Sequence, residues 1–193
     1  INNADVIVVD TNITPSSARA TLAALKALTP KPVRTVINTH WHDDHIVGNQ
    51  VYREAFPGVE IIAHARSANA MATTGAANRK QLVQMGPTMV TQLRNSIEQA
   101  KSMAGGPIND EERASYRSDV VAAERYFAEA ASITDVAPTT VVTDRLAITR
   151  GKRQIEILHL GRAHTGEDLV VHLPQERLVI TGDLIAWPIP LIG

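Results

Sequence analysis

The sequence is dominated by one stretch, Thr39-His40-Trp41-His42-Asp43-Asp44-His45, whose last six positions hold three histidines and two aspartates. Residues two apart in extended backbone share a face, so we expect His40, His42 and Asp44 to project one way and His45 the other. Neutral imidazoles and carboxylates suit zinc, with iron and manganese as alternatives. The spacing therefore predicts a paired metal site. The alternatives are a helix-capping aspartate or an adventitious metal-binding tract.

Two further segments place metal-ligand side chains at the ends of predicted strands. His164 lies at the tip of a strand-to-strand turn with flanking glycines, Gly-Arg-Ala-His-Thr-Gly, over residues 161–166. Asp183 follows another short apolar strand in Thr-Gly-Asp. Function concentrates on loops held by rigid elements. An Asp after Gly at a strand end is, taken alone, more often a turn residue.

Together these segments resemble the metallo-β-lactamase-fold hydrolase superfamily. The match consists of Thr-His-x-His-x-Asp-His over 39–45, of His164 in Gly-x-x-His-Thr-Gly, and of Asp183 in Thr-Gly-Asp. The opening strand Val6–Asp10, which ends in an aspartate and leads into a helix, also fits. The resemblance implies an α/β fold, an αββα sandwich of the metallo-β-lactamase type.

The resemblance also implies a dinuclear zinc site. The six side chains that would hold it are His40, His42 and His164 for the first ion, Asp44 and His45 for the second, and Asp183 bridging both. Asp44 and Asp183 are also the catalytic candidates, since they would offset the charge of the ions and accept a proton. The family uses one more histidine in a later segment, which this sequence lacks. The chain is therefore interpreted as a fragment, incomplete at both ends.

The expected function is that of a metal-dependent hydrolase in which a hydroxide bridging two zinc ions attacks a small ester, thioester or lactone. β-Lactams are disfavoured, because branches of the family that open them usually carry Cys or Ser in place of Asp183. One alternative is a mononuclear iron dioxygenase of the persulfide type, which uses two histidines and one aspartate. Another is an inactive truncated fragment that folds only with a partner segment.

Composition limits the partners. Of 193 residues, 44% are hydrophobic and 20% charged, which is typical of a globular domain. The net charge is −1, whereas a general nucleic-acid binder is usually more basic. No apolar run reaches transmembrane length. We therefore expect a small-molecule substrate and neither nucleic acid nor membrane. A second copy of the chain or a complementing C-terminal segment is the expected protein partner. The absence of cysteine excludes thiolate ligands and leaves the compartment open.

The pattern along the chain is one metallo-β-lactamase-like domain over residues 1–193 with a helical hairpin inserted at 66–132. Buried-type strands alternate with helices up to Ala63. A helix with apolar positions from Val90 to Ala104 follows, and Asn109 starts a second one with a capping box. Short strands with turns fill the rest. The hairpin either packs over the sheet or forms a lid that shapes the substrate pocket.

The other polar and aromatic candidates are assigned supporting roles. His64 is expected to be structural or to support a ligand, and His159 and His172 to pack in strands or lie on the surface. Trp41 is expected to pack beneath its own loop. Asp168 either orients its loop or is an ordinary turn residue. The apolar tail over 187–192 is a candidate pocket lining.

Overall fold

The computed structural model describes residues 1–185, which divide into two compact units. The first consists of residues 1–76 and 134–185, and the second of Ala77–Ile133. The apolar tail over 187–192 lies outside the described residues. The arrangement of one domain with an insertion at 66–132 stays a prediction.

A parallel sheet forms the first half of the first unit. Its four strands, in sequence and in spatial order, are β1 (Val6–Val9), β2 (Val33–Ile37), β3 (Glu60–His64) and β4 (Thr140–Val142). Near-continuous apolar runs such as Val6-Ile-Val-Val suit a parallel sheet that is covered on both faces. Because the strands run in one direction, the segments that follow β1 and β2 meet at one edge of the sheet.

Four helices of the first unit connect these strands. They are α1 (Pro15–Leu28), α2 (Asp43–Ile46), α3 (Asn49–Ala55) and α4 (Ala65–Ala70), and a π-helical turn follows at Met71–Gly75. The predicted start of α1 is confirmed, since Thr14 caps it through the Ser17 N–H and Pro15 is its first residue.

An antiparallel sheet forms the second half of the unit. Its strands are β5 (Arg145–Arg150), β6 (Arg153–His159), β7 (Leu169–Leu173) and β8 (Leu178–Ile180), again in spatial order. A tight turn at Gly151, with a φ of +64°, joins β5 to β6, as the sequence predicted.

Two apolar cores explain the layering. One lies between the two sheets, where Ile37 and Ile62 of the parallel sheet pack with Ile157 and Val171 of the antiparallel sheet. The other lies on the opposite face of the parallel sheet, and its members come from the strands and from α1 and α3. The first unit is thus a helix–sheet–sheet arrangement, which confirms the predicted α/β class.

The second unit contains a helical hairpin of α5 (Ala76–Gln99), apart from its first residue, and α6 (Asp110–Ala130). The two helices approach closely at Gly86, where an added Cβ would lie 2.6 Å from the Phe127 ring. The predicted capping box at Asn109 is confirmed. The expected continuation of α5 to Ala104 is wrong, because the helix ends at Gln99 and Ala100 adopts a φ of +53°.

One local prediction about the histidine-rich loop is also wrong. Its backbone is extended only as far as His42, which is the N-cap of α2, and Asp43–Ile46 is helical. Strand alternation therefore does not assign faces to Asp44 and His45. A helical turn instead brings His45 back onto the side of His40, with the two ring centroids 4.1 Å apart.

Candidate metal centre

The loop after β2 is held in place by buried polar contacts. Asn38, Thr39 and His40 are each at most 1% exposed. The Asn38 and Asn49 side chains exchange hydrogen bonds of 3.1 and 2.9 Å, and the Asn38 amide also donates to the His45 carbonyl oxygen at 3.2 Å. These contacts satisfy the backbone of a sharp loop inside the protein, which fixes the starting points of the histidine side chains.

Three histidines, on loops that follow strands of the two sheets, form the first group of potential ligands. A ligand nitrogen of each of His40, His42 and His164 lies within 4.8 Å of the other two. His164 Nε2 is 3.1 Å from His42 Nδ1, and the ring centroids of His40 and His164 are 5.0 Å apart. The β2 loop and the β6–β7 loop thus meet at one point.

A second group shares His40 with the first and adds His45 and Asp183, whose ligand atoms also lie within 4.8 Å of one another. His45 Nε2 is 3.3 Å from Asp183 Oδ1 and 3.3 Å from Asp44 Oδ2. The other Asp183 oxygen is 3.8 Å from His164 Nε2. The Asp183 carboxylate therefore stands between the two groups, with one oxygen toward each.

Five of the six side chains that the sequence singled out thus belong to the two groups, and the sixth, Asp44, contacts His45 but belongs to neither group. Their function as ligands stays a prediction. The sequence reasoning missed the role of Asp10, which directly follows β1 and lies beside the loop. Its Oδ2 accepts hydrogen bonds from Thr39 Oγ1 and from His45 Nδ1, both at 2.8 Å. Because Nδ1 faces Asp10, His45 presents Nε2 to Asp44 and Asp183. An aspartate at a parallel strand end next to the loop was the available signal.

Protonation differs sharply within the cluster. Burial, together with the neighbouring histidines, lowers the pKa of His40 to about 3. Against the effect of burial, the hydrogen bonds to Asp10 and Asp44 raise the pKa of His45 to about 10. The hydrogen bond with His45 in turn lowers the pKa of Asp44 to about 2. At neutral pH the cluster without a metal ion thus contains a neutral His40 beside a His45 imidazolium that is paired with carboxylates.

The donor set fits a metal ion. His40 Nε2 is buried and has no hydrogen-bond partner in the described part of the chain, which is costly for a polar atom unless it binds something else. Neutral imidazole nitrogens and carboxylate oxygens are the ligands of zinc, and two histidines with one carboxylate also suit iron(II). The residues therefore suit one or two such ions.

The remaining sequence candidates lie outside the cluster. His64 caps α4, with Nδ1 accepting from the Arg66 N–H and Nε2 donating to the Thr143 carbonyl. His172 donates Nδ1–H to Glu156 on the antiparallel sheet. Trp41 packs, as expected, against a small apolar cluster that contains Met71. None of these side chains shares a metal-ligand group with His40 in residues 1–185.

The fold and the cluster define a class, a two-sheet α/β protein with a histidine- and aspartate-rich candidate metal centre at the strand ends. The chain belongs to the metallo-beta-lactamase superfamily, whose family model matches residues 1–190. This confirms the resemblance drawn from the motifs.

Three individual similarities accompany the family match. A linear primary-alkylsulfatase of a Pseudomonas species is 24% identical over 187 residues, which cover 95% of this chain and 32% of that protein. A hydroxyacylglutathione hydrolase of Gloeobacter violaceus is 43% identical over 54 residues, 28% of this chain and 21% of that protein. A metallo-beta-lactamase from Pontibacter korlensis superposes with a TM-score of 0.58 at 18% identity, over 96% of this chain and 58% of that one.

Two consequences follow from these similarities. The structural match confirms the metallo-β-lactamase type of fold, and the matched residues cover about a third or less of the length of each of the two sequence relatives. Their hydrolase names support a hydrolase in general. Within the described residues no helix is long and apolar enough to span a bilayer.

Proposed function

We propose that this chain carries the metal centre of a hydrolase that binds two zinc ions and cleaves small esters. The observation that carries the proposal is that His40, His42 and His164 form one potential ligand group and His40, His45 and Asp183 form a second. The buried Nε2 of His40, the residue that both groups share, has no hydrogen-bond partner among residues 1–185. Bound zinc supplies a Lewis acid that polarises a substrate oxygen and makes water a nucleophile near neutral pH.

The two aspartates differ in position, and so do the roles that we assign to them. The Asp183 side chain is one third exposed and has an oxygen toward each group, so it is placed to balance the charge of two ions. The Asp44 side chain is 54% exposed, on the solvent side of His45. We therefore assign it to charge balance beside His45, because a carboxylate whose pKa is lowered to about 2 is a weak proton acceptor near neutral pH.

The buried neighbours keep the ligands in place. Asp10 fixes His45 through Nδ1, and the Thr39 N–H and hydroxyl both donate to Asp10. Outer partners of this kind orient metal-binding imidazoles and raise their basicity. The geometry thus supports an ordered centre rather than an adventitious group of histidines.

The ester class is proposed from chemistry and from the relatives. An aspartate at position 183 favours esters, thioesters and lactones over β-lactams. The two sequence relatives are named for the hydrolysis of an alkyl sulfate and of a glutathione thioester. Sulfate esters and thioesters are therefore the first substrates to test, and β-lactams the comparison.

Metal analysis of the purified chain tests the proposal. We expect about two zinc ions per chain by plasma mass spectrometry, with fewer in His164→Ala and Asp183→Ala. His172→Ala is the matched control, because it removes a histidine that lies outside the cluster. Hydrolysis of an alkyl sulfate or thioester should disappear with a chelator and return with zinc.

Other metal contents would contradict the proposal in different ways. A single iron per chain would favour the persulfide-type dioxygenase, for which a group of two histidines and one aspartate exists in His40, His45 and Asp183. The same small metal content in wild type, His164→Ala and His172→Ala would mean that the cluster does not bind metal in this chain.

A further inference from the structure

The loop that carries His164 is anchored by a buried carboxylate, Asp168, at its far end. The loop runs between the ends of β6 and β7, and Asp168 is only 2% exposed. Aspartate is almost never fully buried unless it is paired. Its burial at the base of a loop therefore requires an explanation.

Three hydrogen bonds at Asp168 and Leu169 connect the His164 loop to neighbouring segments. Its Oδ2 accepts from the Thr165 N–H at 2.7 Å, and its carbonyl oxygen accepts from His159 Nδ1 at 3.1 Å. The next residue, Leu169, donates its N–H to the Thr39 carbonyl oxygen at 2.7 Å. Asp168 thus connects the residue after His164 to the end of β6, and its neighbour connects the loop to the residue before His40.

The carboxylate is not fully satisfied by these contacts. Asp168 Oδ1 is buried and has no hydrogen-bond partner within residues 1–185. A buried unpaired carboxylate oxygen costs stability, and such groups in folded proteins often mark function. Simple loop stability would not require a charged side chain at this position, since a turn can be closed by a neutral acceptor.

We propose that Asp168 is a positioning residue that fixes the His164 imidazole toward His40 and His42. The charge-assisted bond from the Thr165 N–H to the carboxylate sets the backbone next to His164. A binding constellation must be held to within about 0.5 Å, and a loop residue meets that demand only when its backbone is fastened. The inference rests on the proposed metal site, to which it adds one residue.

Glu167 on the same loop provides a matched control. It carries the same charge one position earlier, and its backbone N–H donates to Thr165 Oγ1 at 3.3 Å. The charge of its carboxylate acts on His64, which lies outside the two metal-ligand groups, and the Thr165 N–H is held by Asp168 instead. Glu167→Gln therefore removes one negative charge from the loop without removing the anchor.

The experiment compares zinc affinity, measured by competition with a chromophoric chelator, in wild type, Asp168→Ala, Asp168→Asn and Glu167→Gln. We expect Asp168→Ala to weaken zinc binding about 10- to 100-fold, as loss of an outer partner of a ligand does. Asp168→Asn keeps an acceptor for the Thr165 N–H but makes the bond neutral, so a smaller loss is expected. Glu167→Gln should bind as wild type does.

Two further measurements separate positioning from general stability. The thermal midpoint of the metal-free chain should be nearly the same in wild type and Asp168→Asn. The visible spectrum of the cobalt(II)-loaded chain should change in Asp168→Ala, because a displaced His164 alters the ligand geometry. If Asp168→Ala does not fold, the decision rests on Asp168→Asn, where reduced zinc affinity with an unchanged metal-free midpoint supports the role.

The outcomes distinguish this role from the proposed function. Wild-type zinc affinity in Asp168→Asn and in any folded Asp168→Ala would overturn the role of Asp168 alone. An equal loss in Glu167→Gln would overturn it too, since charge and not the anchor would then matter. A wild-type chain that binds no zinc would overturn the proposed function, and this role with it.

Discussion

Replacement of Gly182 by alanine should destabilise the protein strongly, because this glycine lies against the loop that carries the histidines. Gly182 has a φ of +54°, in the left-handed region. A Cβ at this position would lie 2.6 Å from Thr39 Oγ1 and 2.8 Å from Thr39 Cβ. Thr39 cannot rotate away cheaply, since its hydroxyl donates to Asp10 Oδ2 at 2.8 Å.

The magnitude follows from two separate costs. A left-handed alanine costs about 1–2 kcal/mol relative to glycine. Overpacking against a fixed side chain costs about 1–3 kcal/mol more. Together they lower the free energy of unfolding by roughly 2–5 kcal/mol, which corresponds to a fall in thermal midpoint of roughly 4–20 °C for a protein of this size.

Thermal and urea unfolding of the metal-free chain, followed by circular dichroism, measures this loss. Gly166→Ala is the matched control, because Gly166 has no left-handed φ and an added Cβ would meet no atom of the described residues within 4 Å. An alanine there should be neutral or stabilise by up to about 1 kcal/mol through the unfolded state. The two variants thus differ in the expected sign.

A loss below about 1 kcal/mol in Gly182→Ala would refute the close approach of the Asp183 turn to the histidine loop. Equal losses in both variants would refute it as well, because the effect would then be a general one of glycine in loops. Zinc affinity should fall with stability in Gly182→Ala, since Asp183 is the next residue.

Three other changes test separate features. Asp10→Asn should weaken zinc binding about 10-fold in chelator competition, because His45 loses its fixed orientation; unchanged affinity would contradict this. The hydrogen bond from His172 holds the pKa of Glu156 below its usual range. This hydrogen bond therefore stabilises the fold at pH values above the ordinary carboxyl pKa, and the stabilisation is lost as the pH falls. The urea midpoint of Glu156→Gln should therefore lie below that of wild type near pH 7, and the gap should close as the pH falls below the ordinary carboxyl range. Asn109→Ala should cost about 1 kcal/mol in urea unfolding, and no cost would contradict the cap of α6.

Most of the architecture was accessible from the sequence because its signals are local. The Thr14-Pro15 start of α1 and the capping box at Asn109 depend on neighbours within three residues. The apolar strands and their turns follow from short-range patterns in the same way. The end of α5 was missed, because the apolar spacing continues past Gln99 while the backbone turns at Ala100.

The candidate site was less accessible, because it depends on contacts between distant residues. The motifs identified the six potential ligands. The direction of His45 was wrong, since a helical turn replaced the extended backbone that the alternation argument needed. Asp10 and His45 are 35 residues apart in the sequence, and no local sequence pattern predicts a contact over that separation. The sequence leaves Asp168 as either an orienting residue or a turn residue, because its burial appears only in the folded chain.

The position of the candidate centre between loops of different sheets has a consequence for folding. His42 and His164 are 122 positions apart, so an ion held by both would close a loop of that length, as a crosslink does. Crosslinks that close loops of about 100 residues restrict the unfolded chain by up to about 4–5 kcal/mol in the chain-entropy model. A bound ion would then link the loops of the two sheets, and a single backbone cut within the helical hairpin would leave the segments before and after the cut joined through the ion as well as through the pairing of β3 with β4.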